Sequence, residues 1–281
     1  MTSSDSTEPC GRDPHRLVFV GGLHRSGTTP LARALGAHSA VSGLARTGVE
    51  EDEGQHLQDV YPPAKAYGGP GRFAFDPRAH LTETSPRANP GSAEALWRAW
   101  SPYWDLSRPL LLEKSPPNLV MGRFLQAVFP GSALIVVLRH PVIVALSTAK
   151  WRRLLSRHPQ NHTTLEKMLE HWLVAHETFA QDVQHLERVH VLRYEELVAN
   201  PSGELARIQR LLALSSPIPP DSISVTRSRR YEETWEAMRT GGRLARRHRR
   251  SVENRYTERV AAFGYDLATL EVIGPLSFGQ T

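Results

Sequence analysis

Residues 17–29 read LVFVGGLHRSGTT, an apolar run that passes into a glycine-containing stretch and then into a helical pattern. The run Leu17–Val20 predicts a buried strand. Leu31 and Leu35 continue at helical spacing around Pro30, a residue favoured in the first turn of a helix. A loop between such a strand and helix presents backbone N–H groups at the helix N-terminus, where they and the helix dipole stabilise an anion. This stretch therefore predicts a phosphate-binding turn.

The order of strand, loop and helix recurs along the chain. Further strands are predicted at residues 110–112, 133–138 and 189–192, and helices at 116–129, 142–151 and 205–214. Because the strand runs are apolar throughout, helices are expected to cover both faces of the sheet. The fold class is therefore α/β, with three layers and a central, mostly parallel sheet flanked by helices.

The pattern predicts a single domain over residues 17–281, preceded by a polar, flexible stretch at residues 1–16. Residues 47–109 are rich in proline, glycine and aromatic residues and show little periodicity. Long stretches of this kind inside a domain are usually functional. Residues 47–109 are therefore interpreted as a long insertion on the substrate side.

Composition excludes several classes of protein. The 281 residues are 40% hydrophobic and 22% charged, as in ordinary globular proteins. The single cysteine, Cys10, cannot form an intramolecular disulfide or a cysteine-rich zinc site. The apolar runs are shorter than the roughly 20 residues of a membrane span, and the N-terminal stretch lacks the apolar core of a signal peptide. A soluble, cytoplasmic protein without a transmembrane span is expected.

The charge balance favours an anionic ligand. Lysine and arginine number 34 against 29 acidic residues, a net charge of +5, and the pI is about 9.6. Arginines are concentrated in and around a basic segment at residues 221–250. The cluster comprises Arg227, Arg229, Arg230, Arg239, Arg243, Arg246, Arg247, Arg249 and Arg250. These side chains form a solvated face, close over an anionic ligand, or bind nucleic acid; no recognition motif accompanies the last alternative.

The phosphate-binding turn departs from that of nucleoside triphosphatases at one position. Residues 22–29 fit the pattern G-x-x-x-x-G-K-[ST] except at the lysine, where Thr28 stands. That lysine reaches the β- and γ-phosphates of a triphosphate. Here the cation lies inside the loop as Arg25, an arrangement that suits one phosphate with a short anionic appendage better than a triphosphate.

A second anion site is predicted behind the most apolar strand. Arg139 directly follows residues 133–138, and Ser147 comes eight residues later on the next predicted helix. An arginine fork and a hydroxyl can together hold a phosphate outside the carboxyl ends of the strands. Two separate phosphate sites indicate a nucleotide with two phosphorylated positions.

With these residues in place, the chain resembles the sulfotransferases that use 3′-phosphoadenosine 5′-phosphosulfate (PAPS). Residues 22–29 are similar to their 5′-phosphosulfate loop, and residues 139–147 to their 3′-phosphate motif. The LEKSP stretch at residues 112–116 resembles one in the Golgi carbohydrate enzymes. Arg25 in place of a loop lysine resembles the protein-tyrosine branch.

Two further stretches extend the resemblance to residues 17–267. LRYEEL at residues 192–197 and AFGYDL at residues 262–267 are similar to segments of the same family. The resemblance implies a sulfotransferase fold related to that of the P-loop nucleoside triphosphatases. The alanine-, arginine- and proline-rich composition fits a bacterial member of the family.

The resemblance also implies roles for individual residues. PAPS would be bound by His24, Arg25, Ser26, Gly27, Thr28, Thr29, Arg139, Ser147 and Tyr194. Arg25 and Lys114 would contact the transferring sulfuryl group. The catalytic base is expected in the acidic stretch at residues 50–53, with Glu53 favoured and Glu51 and His56 as alternatives.

The function implied is in-line transfer of the sulfuryl group from PAPS to a hydroxyl, with release of adenosine 3′,5′-bisphosphate and without a metal. The acceptor is a small molecule, a saccharide, a lipid or a tyrosine. A P-loop kinase, and a non-catalytic protein that binds a nucleotide or nucleic acid, are the alternatives. Six side chains are candidate acceptor walls, or else core residues: His15, Trp97, Trp100, Tyr103, Trp104 and Trp151.

Overall fold

The computed structural model describes residues 17–155, 164–223, 229–276 and 278, with the backbone alone at residues 150–155. The predictions for residues 1–16, which include Cys10 and His15, and for the Arg227 and Trp151 side chains lie outside this description.

A parallel β-sheet forms the centre of the molecule, as the sequence predicts. Its strands are β1 Leu17–Gly22, β2 Val41–Gly43, β3 Leu110–Lys114, β4 Ala133–Leu138 and β5 Val189–Arg193. They are arranged in the order β2-β3-β1-β4-β5, and every pairing is parallel. Only the edge strand β2, which is three residues long, has no counterpart among the predicted strands.

Helices cover both faces of this sheet. They are α1 Thr28–Gly36, α2 Pro90–Trp100, α3 Gly122–Val128, α4 Pro141–Leu155, α5 Leu165–Asp182, α6 Tyr194–Ala199, α7 Pro201–Leu211, α8 Arg229–Thr240 and α9 Arg243–Ala261. Within the described ranges, every helix falls short of the length and apolarity that a membrane crossing requires.

The alternation of side chains along β1 produces the two apolar layers. Leu17 and Phe19 join the core cluster that also contains residues of α2, α3, α5 and α9. Val18 and Val20 point to the opposite face and pack with residues of α1, α6 and α7. Because consecutive strand residues face opposite ways, a strand covered on both faces must be apolar at every position.

The strand order places a crevice beside β1. The chain leaves β1 toward β2 and β3 on one side and later returns to β4 and β5 on the other side. The carboxyl ends of β1, β3, β4 and β5 therefore lie along one edge of the sheet. In open parallel sheets the crevice at such a reversal is where ligands bind.

The segment at residues 47–109 has more regular structure than its sequence pattern indicates. It contains six short 3-10 turns and the helix α2. The side chain of Asn89 caps α2 by accepting a hydrogen bond from the Ser92 amide, and Trp100 at its end is fully buried. The prediction missed this helix, although Asn89 and Pro90 are typical of a helix start and Leu96 and Trp100 follow at helical spacing.

The helix predicted at residues 116–129 is wrong as a continuous element. The structure has a 3-10 turn at Pro116–Val120 and then the separate helix α3, with Met121 in a non-helical conformation between them. The break allows Asn118 to turn inward, where its amide donates to the Val20 carbonyl and to the Glu113 carboxylate.

Candidate functional site

The loop between β1 and α1 is shaped by two residues in left-handed conformations. Arg25 has φ 73° and Gly27 has φ 110°. Gly27 also lies against the Tyr194 ring, because a Cβ atom at this position would be 2.2 Å from the ring. The turn is closed by a hydrogen bond from the Ser26 amide to the Leu23 carbonyl, 2.9 Å. A side chain in place of Gly27 would separate the loop from the end of β5.

The two anion sites predicted from the sequence meet at this loop. The Arg139 side chain donates from Nη1 to the Arg25 carbonyl oxygen, 2.9 Å, and its guanidinium lies 4.5 Å from the centre of the Tyr194 ring. The Arg25 side chain donates from Nε to Ser147 Oγ, 3.2 Å. Residues at the ends of β1, β4 and β5 are therefore directly connected.

A cavity of about 620 Å³ opens on this side of the loop. We call it the nucleotide-side cavity, after the sequence-based prediction of a nucleotide at this loop; its lining includes Gly27, Thr29, Arg139, Ser147, Tyr194 and Arg230. Ser26 Oγ, in the same loop, is buried and has no hydrogen-bond partner among the described residues. Burial lowers the pKa of Arg139 from its usual value. An anion bound here would supply charge and acceptor atoms to these groups.

A second cavity lies on the other side of the loop and measures about 120 Å³. We call it the base-side cavity; its lining includes His24, Arg25, Glu53, His56, Lys65 and Thr148. Arg25, Thr28 and Thr29 line both cavities. The phosphate-binding turn is therefore the boundary between the two.

Glu53 and Lys114 form a buried ion pair beside the base-side cavity. Lys114 Nζ donates to Glu53 Oε1 at 2.8 Å, and Gln55 Nε2 donates to the other carboxylate oxygen at 2.5 Å. Burial raises the pKa of Glu53, and the positive charge of Lys114 opposes this shift. The carboxylate is thus more basic than an exposed glutamate while remaining close to a cation.

The three candidate bases Glu51, Glu53 and His56 all line the base-side cavity but differ in burial. Glu51 is exposed and lies 3.9 Å from Arg33, outside the buried pair. His56 is half-buried, with Nε2 3.8 Å from Glu53 Oε2, and burial lowers its pKa. Of the acidic side chains at residues 50–53, Glu53 is the buried one.

His24 lies in a strongly positive part of the loop. Its pKa is lowered to about 3, first by burial and then by the positive charges of Lys114, His56 and Arg25. The ring is therefore neutral near pH 7. Since several cations lie within electrostatic reach of one another here, an anionic group placed among them would relieve their mutual repulsion.

Glu113 is a buried residue to which the sequence pattern assigned no role. Its Oε1 accepts hydrogen bonds from the Gly54 amide, 2.9 Å, and Ser115 Oγ, 2.5 Å, and its Oε2 accepts from Asn118 Nδ2, 2.6 Å. Burial is the main cause that raises its pKa to about 7. A carboxylate on β3 thus holds the backbone next to Glu53.

The approach of this backbone requires a glycine. A Cβ atom on Gly54 would be 2.6 Å from Glu113 Cγ and 2.8 Å from Trp100 Nε1. Trp100 in turn donates from Nε1 to the Gly54 carbonyl, 3.0 Å. The sequence offered one signal for the role of Glu113. An acidic residue inside a buried strand needs several hydrogen-bond donors around it, and Glu113 is such a residue in the LEKSP stretch.

The LRYEEL and AFGYDL stretches bind each other behind the nucleotide-side cavity. Arg193 donates to the Phe263 carbonyl at 3.0 Å, and Tyr265 donates to Glu195 at 3.1 Å. The other oxygen of Glu195 accepts from the His140 amide at 2.8 Å. These contacts hold the backbone directly after Arg139 and on both sides of Tyr194.

The remaining candidates divide between core and surface. Trp100 and Trp104 are buried in the core and donate to backbone carbonyls, so the acceptor-wall interpretation is wrong for them. Among the arginines near the C-terminal end, Arg230 lines the nucleotide-side cavity. Arg249 is buried, and Arg243 belongs to an exposed helix face.

Comparison with known proteins adds to this geometry. Residues 17–217 match a family model described as the sulfotransferase family. A sulfotransferase structure from Mycobacterium avium is similar over 94% of this chain and 79% of its own, with 15% identity and a TM-score of 0.54. One from Alicyclobacillus acidocaldarius is similar over 84% of this chain and 94% of its own, with 15% identity and a TM-score of 0.47. No curated protein sequence matches this chain.

Proposed function

Since the chain belongs to the sulfotransferase family, we propose that it transfers the sulfuryl group of PAPS to a hydroxyl acceptor and releases adenosine 3′,5′-bisphosphate. One observation carries the choice of nucleotide. The loop lacks the triphosphatase lysine, and its Arg25 bonds through the main chain to Arg139 and through the side chain to Ser147. Two anion sites joined in this way fit a ligand with phosphates at both ends of one ribose.

The described residues fit such a nucleotide. The nucleotide-side cavity, at about 620 Å³, lies in the usual size range of small-molecule sites. Ser26 Oγ and the loop amides would hold the 5′-phosphosulfate, and Arg139 with Ser147 would hold the 3′-phosphate. Tyr194, which lies against Gly27 and below Arg139, would orient the nucleotide between them.

Arg25 and Lys114 stabilise the charge that develops during transfer. The sulfuryl group carries one negative charge, so two positioned cations suffice to stabilise the bridging and equatorial oxygens without a metal. Arg25 lines both cavities and therefore reaches the boundary where nucleotide and acceptor meet. Lys114, at the end of β3, would reach this boundary from its ion pair with Glu53.

Glu53 accepts the proton of the acceptor hydroxyl. As the acceptor oxygen bonds to sulfur, the bond between sulfur and the 5′-phosphate oxygen breaks and the hydroxyl proton passes to the carboxylate. Burial, which raises the pKa of Glu53, makes it a better proton acceptor at neutral pH than an exposed carboxylate. The base-side cavity, into which Glu53 faces with His56 and Lys65, is the place for the reacting end of the acceptor.

The segment at residues 47–109 forms the acceptor side of a single domain over residues 17–281 in this proposal. It supplies Glu53, His56 and Lys65 to the base-side cavity. The acceptor classes remain those expected from the sequence: a small molecule, a saccharide, a lipid or a tyrosine. A cytoplasmic location likewise stays a prediction from the sequence.

Isothermal titration calorimetry tests the nucleotide assignment directly. We expect adenosine 3′,5′-bisphosphate to bind more tightly than ATP with magnesium, because the loop offers no lysine to a γ-phosphate. Tight binding of ATP with magnesium and no heat from the bisphosphate would overturn the proposal. Incubation with ³⁵S-labelled PAPS and a panel of phenols, saccharides, peptides and lipids then identifies the acceptor.

A further inference from the structure

The first half of α9 carries an arginine cluster that the proposed function does not use. Residues 243–250 read RLARRHRR. Arg249 alone among these arginines is buried, where it donates to the Trp235 and Ala268 carbonyls and pairs with Glu253. The others are exposed and spaced by three or four residues, so they share one side of the helix. This arginine face consists of Arg243, Arg246, Arg247 and Arg250.

The arginine face is unfavourable for the stability of the helix that bears it. Like charges three or four residues apart repel each other. Cations in the first turns of a helix also oppose the positive end of its dipole. No acidic residue precedes Glu253 in α9, and Gly242 before it provides no side-chain cap. Among the described carboxylates, none pairs with a member of the arginine face.

An exposed leucine lies within the same turns. Leu244 is 85% exposed, whereas the other exposed large apolar side chains lie between 37% and 55%. Its neighbours in sequence are Arg243 and Ala245, and its side chain extends from the protein next to the arginine face. Exposure of a leucine side chain to water is unfavourable, and transfer of Leu244 to an apolar environment would lower the free energy.

We propose that the arginine face and Leu244 bind the surface of an anionic lipid bilayer. Lipid phosphates supply the counter-charges that the protein does not, and Leu244 enters the boundary between headgroups and acyl chains. A purely aqueous polyanion such as nucleic acid would satisfy the arginines but leave Leu244 in water. The exposed leucine therefore favours the bilayer, independently of the enzymatic activity.

Vesicle co-sedimentation with the full chain tests this surface. We expect binding to vesicles of phosphatidylcholine mixed with phosphatidylglycerol and little binding to phosphatidylcholine alone. The double variant R243Q/R247Q should bind the anionic vesicles about 30-fold more weakly, since each arginine near such a surface contributes about fivefold, or ~1 kcal/mol. The variant L244S should weaken binding about tenfold, because a leucine no longer leaves water.

A matched control removes the same charge elsewhere. In R98Q/R229Q, two exposed helical arginines that pair with Glu94 and Glu233 are replaced, and vesicle binding should change less than twofold, as surface pairs contribute little. Thermal melting should show R243Q/R247Q at least as stable as the natural chain, because repulsion is removed. Equal loss in both double variants, or equal binding to neutral vesicles, would overturn the proposal.

A single-stranded DNA oligonucleotide separates the bilayer from other polyanions. We expect L244S to leave any weak, salt-sensitive DNA binding unchanged while weakening binding to anionic vesicles. If L244S and the natural chain bind anionic vesicles equally while R243Q/R247Q loses DNA and vesicles together, the surface is a general polyanion site and the bilayer proposal is wrong.

Discussion

The two sides of the crevice are held in different ways. On the nucleotide side, Arg139 and Tyr194 directly follow β4 and β5, and Arg25 lies in the loop after β1. The Arg139 side chain donates a hydrogen bond to the Arg25 main chain. On the base side, Glu53 comes from a segment of short turns. It is held through buried polar contacts to Lys114 and, by way of Gly54, to Glu113.

Because of this difference, substitutions on the two sides of the crevice should have different effects. Residues at strand ends are placed by the sheet itself, so their substitution should remove a contact without moving the rest of the site. Glu53 is placed by hydrogen bonds, so a change in a residue that never meets the substrate should still move it. Nucleotide affinity and turnover should therefore respond separately to substitutions on the two sides.

Replacement of Arg25 should have the largest effect, because its side chain lines both cavities. Arg25→Ala removes a donor to the developing charge, which should lower kcat/KM about 10³-fold. It also removes a charged hydrogen bond on the nucleotide side, which should lower kcat/KM about tenfold more. We expect kcat/KM to fall about 10⁴-fold by these two effects together. Steady-state kinetics with ³⁵S-labelled PAPS measures this fall.

The matched control for this experiment is Arg98→Ala. Arg98 is exposed on α2 and pairs only with Glu94 among the described residues, so its loss should leave kcat/KM within about twofold of the natural value. A turnover number close to the natural one in Arg25→Ala would mean that the loop cation has no part in transfer.

Replacement of Glu53 should slow turnover and leave nucleotide binding intact. Glu53→Gln keeps the shape of the side chain but cannot accept the proton, and we expect kcat to fall about 10²-fold. The dissociation constant of adenosine 3′,5′-bisphosphate should stay within about twofold, since Glu53 lines only the base-side cavity of the two. Stopped assays and calorimetry provide the two measurements.

The pH dependence of the activity also tests whether Glu53 is the proton acceptor. A base acts in its ionised form, so activity should rise with pH through the pKa of Glu53, which burial places above the usual 4.5. Glu53→Gln should abolish this acidic limb. If Glu53→Gln keeps the natural rate while His56→Gln or Glu51→Gln lowers it, the proton acceptor is one of those residues instead.

Replacement of Glu113 tests the comparison most sharply, because this residue lines neither cavity. Glu113→Gln replaces one of the two acceptor oxygens with an NH2 group, so either Gly54 or Asn118 loses its acceptor. The backbone beside Glu53 should then shift, and kcat should fall about tenfold. Affinity for adenosine 3′,5′-bisphosphate should not change.

A structural role alone would give a different result for Glu113. Displacement of Glu53 leaves Lys114 without its partner, so Lys114 should react faster with an amine-specific acylating reagent, as peptide mass spectrometry can measure. Gly54→Ala, which forces the same backbone away from Glu113, should give the same pair of changes. A lower melting temperature with normal kcat and normal Lys114 labelling would reject the positioning role.

Sequence patterns predicted the nucleotide side more completely than the base side, for a physical reason. Apolar strands indicate a covered parallel sheet directly, and a residue just after such a strand must lie at the sheet edge. The sequence alone therefore sufficed to place Arg25 and Arg139 at the same edge of the sheet, but it predicted two separate phosphate sites and not the direct contact between them. The hydrogen bond between Arg25 and Ser147 could not be predicted, because it depends on the left-handed conformation of Arg25.

The base side lacks this regularity. The helix α2 places Leu96 and Trp100 in the core at helical spacing, but the short turns on either side of it show no clear period. The contact between Gly54 and Glu113 joins residues 59 positions apart. Nothing in local spacing encodes such a contact, so Glu53 could be favoured only by resemblance, and the role of Glu113 emerged only with the structure.

Chelation should have the smallest effect. Arg25 lies in the loop after β1 and Lys114 ends β3, where it is paired with Glu53. The two cations and the Glu53 carboxylate together leave one net positive charge, which matches the single negative charge of a sulfuryl group. Addition of EDTA should therefore leave kcat unchanged, and added magnesium should not restore activity to Arg25→Ala. Loss of activity on chelation, with recovery on addition of a divalent cation, would show that the cations of the loop and of β3 do not suffice.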